Sequence, residues 1–155
     1  MSVTITVPSE YGYVITTTVA TFFLGLWHGM NARPLRLKGG VKQPKAYADS
    51  NDFAAADAET KKTLYLFNCA QRAHGNYIEN QPSTAIALLI AGLRYPRLSA
   101  LLGVGWMIGR VIFTLGYCRR DKENGSGRIL GFAIQFPMQI TLWGLAAWTG
   151  ISILP

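Results

Sequence analysis

The chain has 155 residues, 50% of them hydrophobic, with 15 Lys and Arg against 8 Asp and Glu and a formal net charge of +7. That length sets one domain, and two cysteines exclude a disulfide-built scaffold. The basic residues gather in stretches between long apolar runs, which makes a topology signal of the charge and weakens a nucleic-acid reading.

The segment 11–30 carries no charge, and the first predicted helix runs over about 11–33, ending on Arg33. Glu10 precedes it and no basic stretch does, so this segment reads as a retained span and not as a cleavable signal. The stretch 34–62 is the longest polar one; Gly39, Gly40 and Pro44 argue against regular structure in its first half, and the Ala-rich 53–59 predicts a short helix. Asp49, Asn51 and Asp52 resemble the start of a calcium loop but lack its Gly and closing Glu, which leaves a solvated loop. A second helix is expected over about 63–93, a third over 98–118 after the tight Arg94-Tyr95-Pro96-Arg97 turn, and a fourth over 128–153. Each is long enough for the roughly 20 apolar residues that a bilayer crossing needs. Backbone groups in lipid must bond internally, so the fold class is all-α: a four-helix membrane bundle occupying 1–155 as a single domain.

Orientation follows from the cations. Seven of the 15 lie between helices one and two (Arg33, Arg36, Lys38, Lys42, Lys45, Lys61, Lys62) and four at or before the start of helix four (Arg119, Arg120, Lys122, Arg128). The positive-inside rule places these two loops in the cytosol and both termini on the far side. The sequon at Asn124 is then cytosolic and stays bare. Cys69 and Cys118 fall on the reducing side, and no CxxC or metal-ligand cluster is present, so neither a disulfide nor a metal is expected. Pro82 and Pro137 predict bends, and Gly103, Gly105, Gly109 and Gly116 predict close helix approach along helix three.

Function is sought where charge sits against this background. Asn68, Arg72, Asn76 and Glu79 fall within about 80° of one another on a helical wheel, so one face of helix two carries a cation, a carboxylate and two amides. Charges at membrane depth normally face a protein interior or a wet cavity and have a task there. Glu79 is the only acidic residue in any span and Arg110 the only basic one in helix three, which predicts a structural Arg110–Glu79 ion pair. Arg110, Thr114 and Tyr117 again share one face. Arg128 opens helix four after a flexible Asn-Gly-Ser-Gly turn. Guanidinium groups, amides and one carboxylate near the cytosolic leaflet match a small zwitterionic peptide with two carboxylates and an amine. Glutathione is such a molecule, with a lipophilic co-substrate arriving from the bilayer.

The run Phe67-Asn-Cys-Ala-Gln-Arg-Ala-His74, followed by Asn76, Glu79 and Pro82, resembles the second-span signature of the membrane-associated proteins in eicosanoid and glutathione metabolism, the MAPEG family. Tyr95-Pro96-Arg97, Gly109-Arg110 and Gly116-Tyr117 support the likeness, which runs from about Phe67 to Leu130 and is closest to the type-3 microsomal glutathione S-transferases. The resemblance implies a homotrimer of four-helix subunits in the endoplasmic reticulum membrane, with glutathione as co-substrate held between subunits. It assigns glutathione binding to Arg33, Arg72, Asn76, Glu79 and Tyr117, to which the shared face of helix two adds Asn68, and the catalytic, thiolate-holding role to Arg128, with Arg119 and Arg120 as lesser candidates. His74 points away from the stripe and is left out. Phe113 stands where several relatives have tyrosine, Asn80 where some have an aromatic and Pro34 where some have a second basic residue. The activity implied is conjugation of hydrophobic electrophiles or reduction of lipid hydroperoxides. A glutathione-dependent lipid isomerase or synthase, a non-catalytic lipid-binding scaffold of the same fold, and a small transporter subunit are the other readings.

Overall fold

A computed structural model describes residues 7–122 and 124–154. Its helices are α1 (Tyr11–Lys38), α2 (Ser50–Ala54), α3 (Ala58–Gly92), α4 (Pro96–Tyr117) and α5 (Ile129–Ile151), with a 3-10 turn at Ser126–Arg128 leading into α5. The four long helices match the four expected apolar runs. α1 continues five residues beyond the expected end, carrying Pro34 inside it, and closes at Gly39, whose N–H bonds to Leu35 O.

The short helix lies earlier than the alanine content suggested. Asp49 caps α2 by accepting from the N–H groups of Asn51 and Asp52, and Asp52 answers by accepting from the N–H of Asp49. This reciprocal cap starts the helix at Ser50, and Asp57 starts α3 in turn by accepting from Thr60 N–H at 2.7 Å. The Asp49–Asp52 segment is therefore a helix start. Lys45 bridges both carboxylates at 2.9 Å and holds that of Asp49 below the usual carboxylate range.

α4 packs on α5 almost backbone to backbone. A Cβ added at Gly109 would lie 2.7 Å from Gln135 N, one at Gly131 would collide with the Phe113 backbone, and Gly116 and Gly127 block each other in the same way. Gly103 faces the other side, against Thr17 and Leu88. α1 lies along α3, with Val14 buried against Gly92 and Tyr77 against Gly25.

Beside its apolar core the bundle buries many polar side chains and exposes many large apolar ones. Thr21, His28, Thr84, Ser99, Arg110, Thr114, Gln135 and Gln139 are buried, while Phe22, Phe23, Leu101, Ile108, Phe132 and Trp148 are exposed. Such an arrangement suits an apolar surrounding. Pro96–Tyr117 and Ser126–Ile151 are long and apolar enough to cross a membrane. α1 and α3 are long enough, but the charge-free 11–30 of α1 is rich in threonine, tyrosine and glycine, and α3 carries the polar stripe.

Candidate active site

The stripe on α3 begins with Asn68, whose amide clamps the preceding loop. Its Oδ1 accepts from Ala48 N–H at 2.8 Å and its Nδ2 donates to Ala48 O at 2.9 Å. Gln71 Nε2 adds a bond to Ala46 O at 2.8 Å. Arg36 holds the loop's other side through Lys45 O at 2.7 Å while its guanidinium lies 4.7 Å from the Phe67 ring centre. These contacts lay the loop along α3 and bring Tyr47 beside Arg72. Two turns further on, Glu79 receives Arg72 Nη1 at 2.7 Å, with the second oxygen 3.4 Å from Nη2. Both side chains are about half exposed on the flank of α3.

The Arg110–Glu79 pair expected from charge counting is not formed. Arg110 is 1% exposed and turns between α3 and α5, where one nitrogen, Nη1, donates to both Asn76 Oδ1 (2.8 Å) and Gln135 Oε1 (2.9 Å). The rings of Phe113, Tyr77 and Trp106 surround the guanidinium at 5.0, 5.3 and 5.8 Å. Aromatic faces and neutral amides meet this cation in place of the expected carboxylate, and its Nε and Nη2 are buried without a hydrogen-bond partner among the described residues. The reason lies in side: Arg72 and Glu79 face outward together, whereas Arg110 is enclosed between helices.

Two pockets flank the first turn of α5. One, of about 400 Å³, is lined by Tyr47, Tyr65, Asn68, Cys69, Arg72, Tyr117 and Asn124. The other, of about 290 Å³, is lined by Asn76, Asn80, Phe113, Arg128, Phe132, Gln135, Phe136, Gln139 and Trp143. The first is polar and aromatic; the second has one wall of amides and another of phenylalanines and tryptophan. Arg128 links them, because its guanidinium lies 5.0 Å from the ring centre of Tyr117, a residue of the first pocket.

The turn before α5 is built to hold that arginine. Gly125 has φ +60°, and its N–H donates to Tyr65 Oη at 2.7 Å, which ties the turn to α3. A Cβ there would stand 2.6 Å from the Tyr117 ring. Arg128 Nη1 donates back to Asn124 O (2.7 Å) and Gly125 O (2.9 Å). Its Nε and Nη2 bond to no group among the described residues, so the guanidinium has donors left for a ligand.

Of the residues expected at a site, Asn68, Arg72 and Tyr117 meet in the first pocket and Asn76 and Arg128 in the second. Glu79 is drawn in through Arg72. Arg33 is exposed on α1 and lines neither pocket. Arg119 and Arg120 do not either, and they pair on the surface with Asp121 and Glu59. His74 packs against Gly29, and His28 is buried with Nδ1 3.0 Å from Thr114 Oγ1. Tyr47, Tyr65, Gln135 and Gln139 line the pockets without having been singled out in the sequence. The glutamines carried a signal nonetheless: two amides at i and i+4 on one face of an otherwise apolar helix.

Chemically, the two pockets offer cations and amides for an anionic or zwitterionic molecule beside an aromatic cleft for an apolar one. No group of three or more His, Cys, Asp or Glu suited to a metal occurs among the described residues. The sequence model of the MAPEG family matches residues 14–148, nearly the whole bundle. The chain therefore belongs to the MAPEG family, membrane-associated proteins that use glutathione and include glutathione transferases, peroxidases and lipid-metabolising enzymes.

Proposed function

We propose that the chain is the subunit of a membrane-bound glutathione S-transferase of the type-3 microsomal kind, with glutathione peroxidase activity toward lipid hydroperoxides. Arg72, Asn76, Glu79 and Tyr117 hold glutathione, with Asn68 shaping the pocket and Arg128 keeping the sulfur as thiolate. One observation carries the reading: Arg128 belongs to the aromatic pocket while it stacks on Tyr117 of the polar one, so a single cation stands where a thiol and an apolar electrophile would meet. A free thiol titrates near ~8.5, and each unit by which a cation lowers it corresponds to about 1.4 kcal/mol of thiolate stabilisation. Glutathione supplies the nucleophile; the protein supplies placement and charge.

The working form in this reading is a homotrimer of four-span subunits in the endoplasmic reticulum membrane, with the basic loops cytosolic. The half-exposed Arg72–Glu79 pair supports a covering neighbour, because it stands beside exposed Ile78 and Ile86 on a helix flank that lipid alone would solvate poorly. Arg33, exposed on α1, is available to a neighbour's glutathione.

The test is ultraviolet difference spectroscopy of glutathione on the purified protein at neutral pH. The wild type is expected to give a saturable thiolate band that Arg128→Ala loses and Arg128→Lys partly keeps. No band in the wild type, or an undiminished band in Arg128→Ala, overturns the assignment.

A further inference from the structure

The amide wall of the aromatic pocket has a polarity. Arginine only donates, so the group that each amide turns to Arg110 Nη1 must be its oxygen. Asn76 and Gln135 both do so, at 2.8 and 2.9 Å. Deeper along the same seam, Gln139 Oε1 accepts from Trp106 Nε1 at 3.3 Å, and Asn80 Oδ1 accepts from Gln139 Nε2 at 3.2 Å. Every side-chain oxygen of the four amides is therefore already engaged by a donor. Gln135 Nε2 bonds to no group among the described residues, and Gln135 lines the pocket together with Arg128. What this wall holds out to an occupant is N–H.

From this polarity we infer that Gln135 is a catalytic residue of the proposed reaction, donating its amide N–H to an oxyanion that leaves the apolar substrate, and that Arg110 is the positioning residue that fixes the direction of this amide. The inference rests on the glutathione reading and names the electrophile that the pocket favours: one whose leaving atom is oxygen, an alkyl hydroperoxide. The thiolate attacks the terminal peroxide oxygen, the S–O bond forms as the O–O bond breaks, and the electron pair stays on the alkoxide. Gln135 holds that alkoxide until it takes a proton from water. The glutathione sulfenic acid then reacts with a second glutathione thiol, giving the disulfide and water, so that two thiols are oxidised for each hydroperoxide reduced to alcohol. An alkyl iodide in the same pocket makes no such demand, because iodide is a poor hydrogen-bond acceptor.

The experiment compares an alkyl hydroperoxide with an alkyl iodide of equal chain length on the purified protein in detergent, with the thiolate band as the control for glutathione binding. Gln135→Glu keeps an oxygen for Arg110 and replaces the donor by a second oxygen; Gln135→Met keeps the volume and removes both. Loss of one oxyanion donor lowers kcat by about 100-fold or more. In both variants kcat for the hydroperoxide is expected to fall by about that factor and by about tenfold or more beyond any fall in iodide conjugation, with the thiolate band retained. Arg110→Met, which frees both amides to turn, is expected to lower kcat for the hydroperoxide with little change in KM, and Arg110→Lys, which keeps a donor, to restore part of it. Equal effects on the two substrates, or none, with the band intact overturn the role of Gln135. A missing band in the wild type overturns the glutathione reading itself, and the two failures are therefore distinct.

Discussion

Replacing Gly131 by alanine places a methyl group inside the backbone of α4. The new carbon would overlap the Phe113 main chain and stand 2.7 Å from Gly109 O. Neither is the end of a flexible side chain, so the relief available is for α4 and α5 to part by roughly 1 Å, a gap that forfeits a quarter to a half of the dispersion energy of each contact it opens. Overpacking of this kind costs about 1–3 kcal/mol, and for a chain of this size each kcal/mol moves Tm by about 2–4 °C. Gly144 is the matched control, since a Cβ there meets nothing within 4 Å. Gly144→Ala is expected to be neutral or to gain up to about 1 kcal/mol from helix propensity. Thermal unfolding followed by circular dichroism in a single detergent measures both. Gly131→Ala melting with the wild type, or Gly144→Ala losing as much as Gly131→Ala, refutes the argument that backbone contact sets the α4–α5 spacing.

Three further outcomes are expected. Asn68→Ala removes two hydrogen bonds to Ala48, worth about 1 kcal/mol each, and is expected to open the loop over 41–49 to proteolysis while leaving α3 intact. The depressed Asp49 carboxyl stabilises the cap of α2 at every pH above the ordinary aspartate range, and this contribution fades as pH falls through the carboxyl's lowered value. Hydrogen-exchange protection at Asn51 and Asp52 should accordingly be flat through neutrality and decline in acid, and Asp49→Asn should abolish that dependence. Glu79→Gln leaves Arg72 without its carboxylate and is expected to raise KM for glutathione by roughly tenfold with a smaller change in kcat; an unchanged KM removes Glu79 from the site.

Much of this was legible in the residues, and what was missed shares a cause. The four long helices follow from apolar runs separated by basic loops, and the shared face of Arg72, Asn76 and Glu79 follows from their spacing on α3. Spacing within one helix says nothing about which neighbour a side chain meets. Arg110 and Glu79 looked like partners because each was the lone charge of its kind, yet Asn76, one turn before Glu79, and Gln135 across the interface take the contact. Asn68 looked like a ligand residue because it shares the stripe, and its clamp on Ala48, 20 residues earlier, depends on a loop path that no periodicity encodes. Gln135 and Gln139 were passed over because uncharged amides hardly interrupt a hydropathy profile, although burial makes them the main hydrogen-bonding groups on the inner face of α5. α2 was expected to start three residues too late and end five too late because alanine content was weighed above the Asp49 cap.

The length of α3 has a consequence for how two unlike molecules can meet. Its 35 residues make a rod of about 52 Å, whereas a hydrocarbon core is about 30 Å thick and takes up about 20 helical residues. In the proposed orientation, with Gly92 at the far boundary, that core would end near Ala73. Arg72 would then stand at the water's edge, with Asn76 about 6 Å and Glu79 about 10 Å beneath it. The aromatic cleft continues inward to Trp143, about two thirds of the way along α5. A hydrophilic peptide can stay in the shallow margin while an acyl chain remains in oil, and neither has to cross into the other's solvent for their reactive ends to touch.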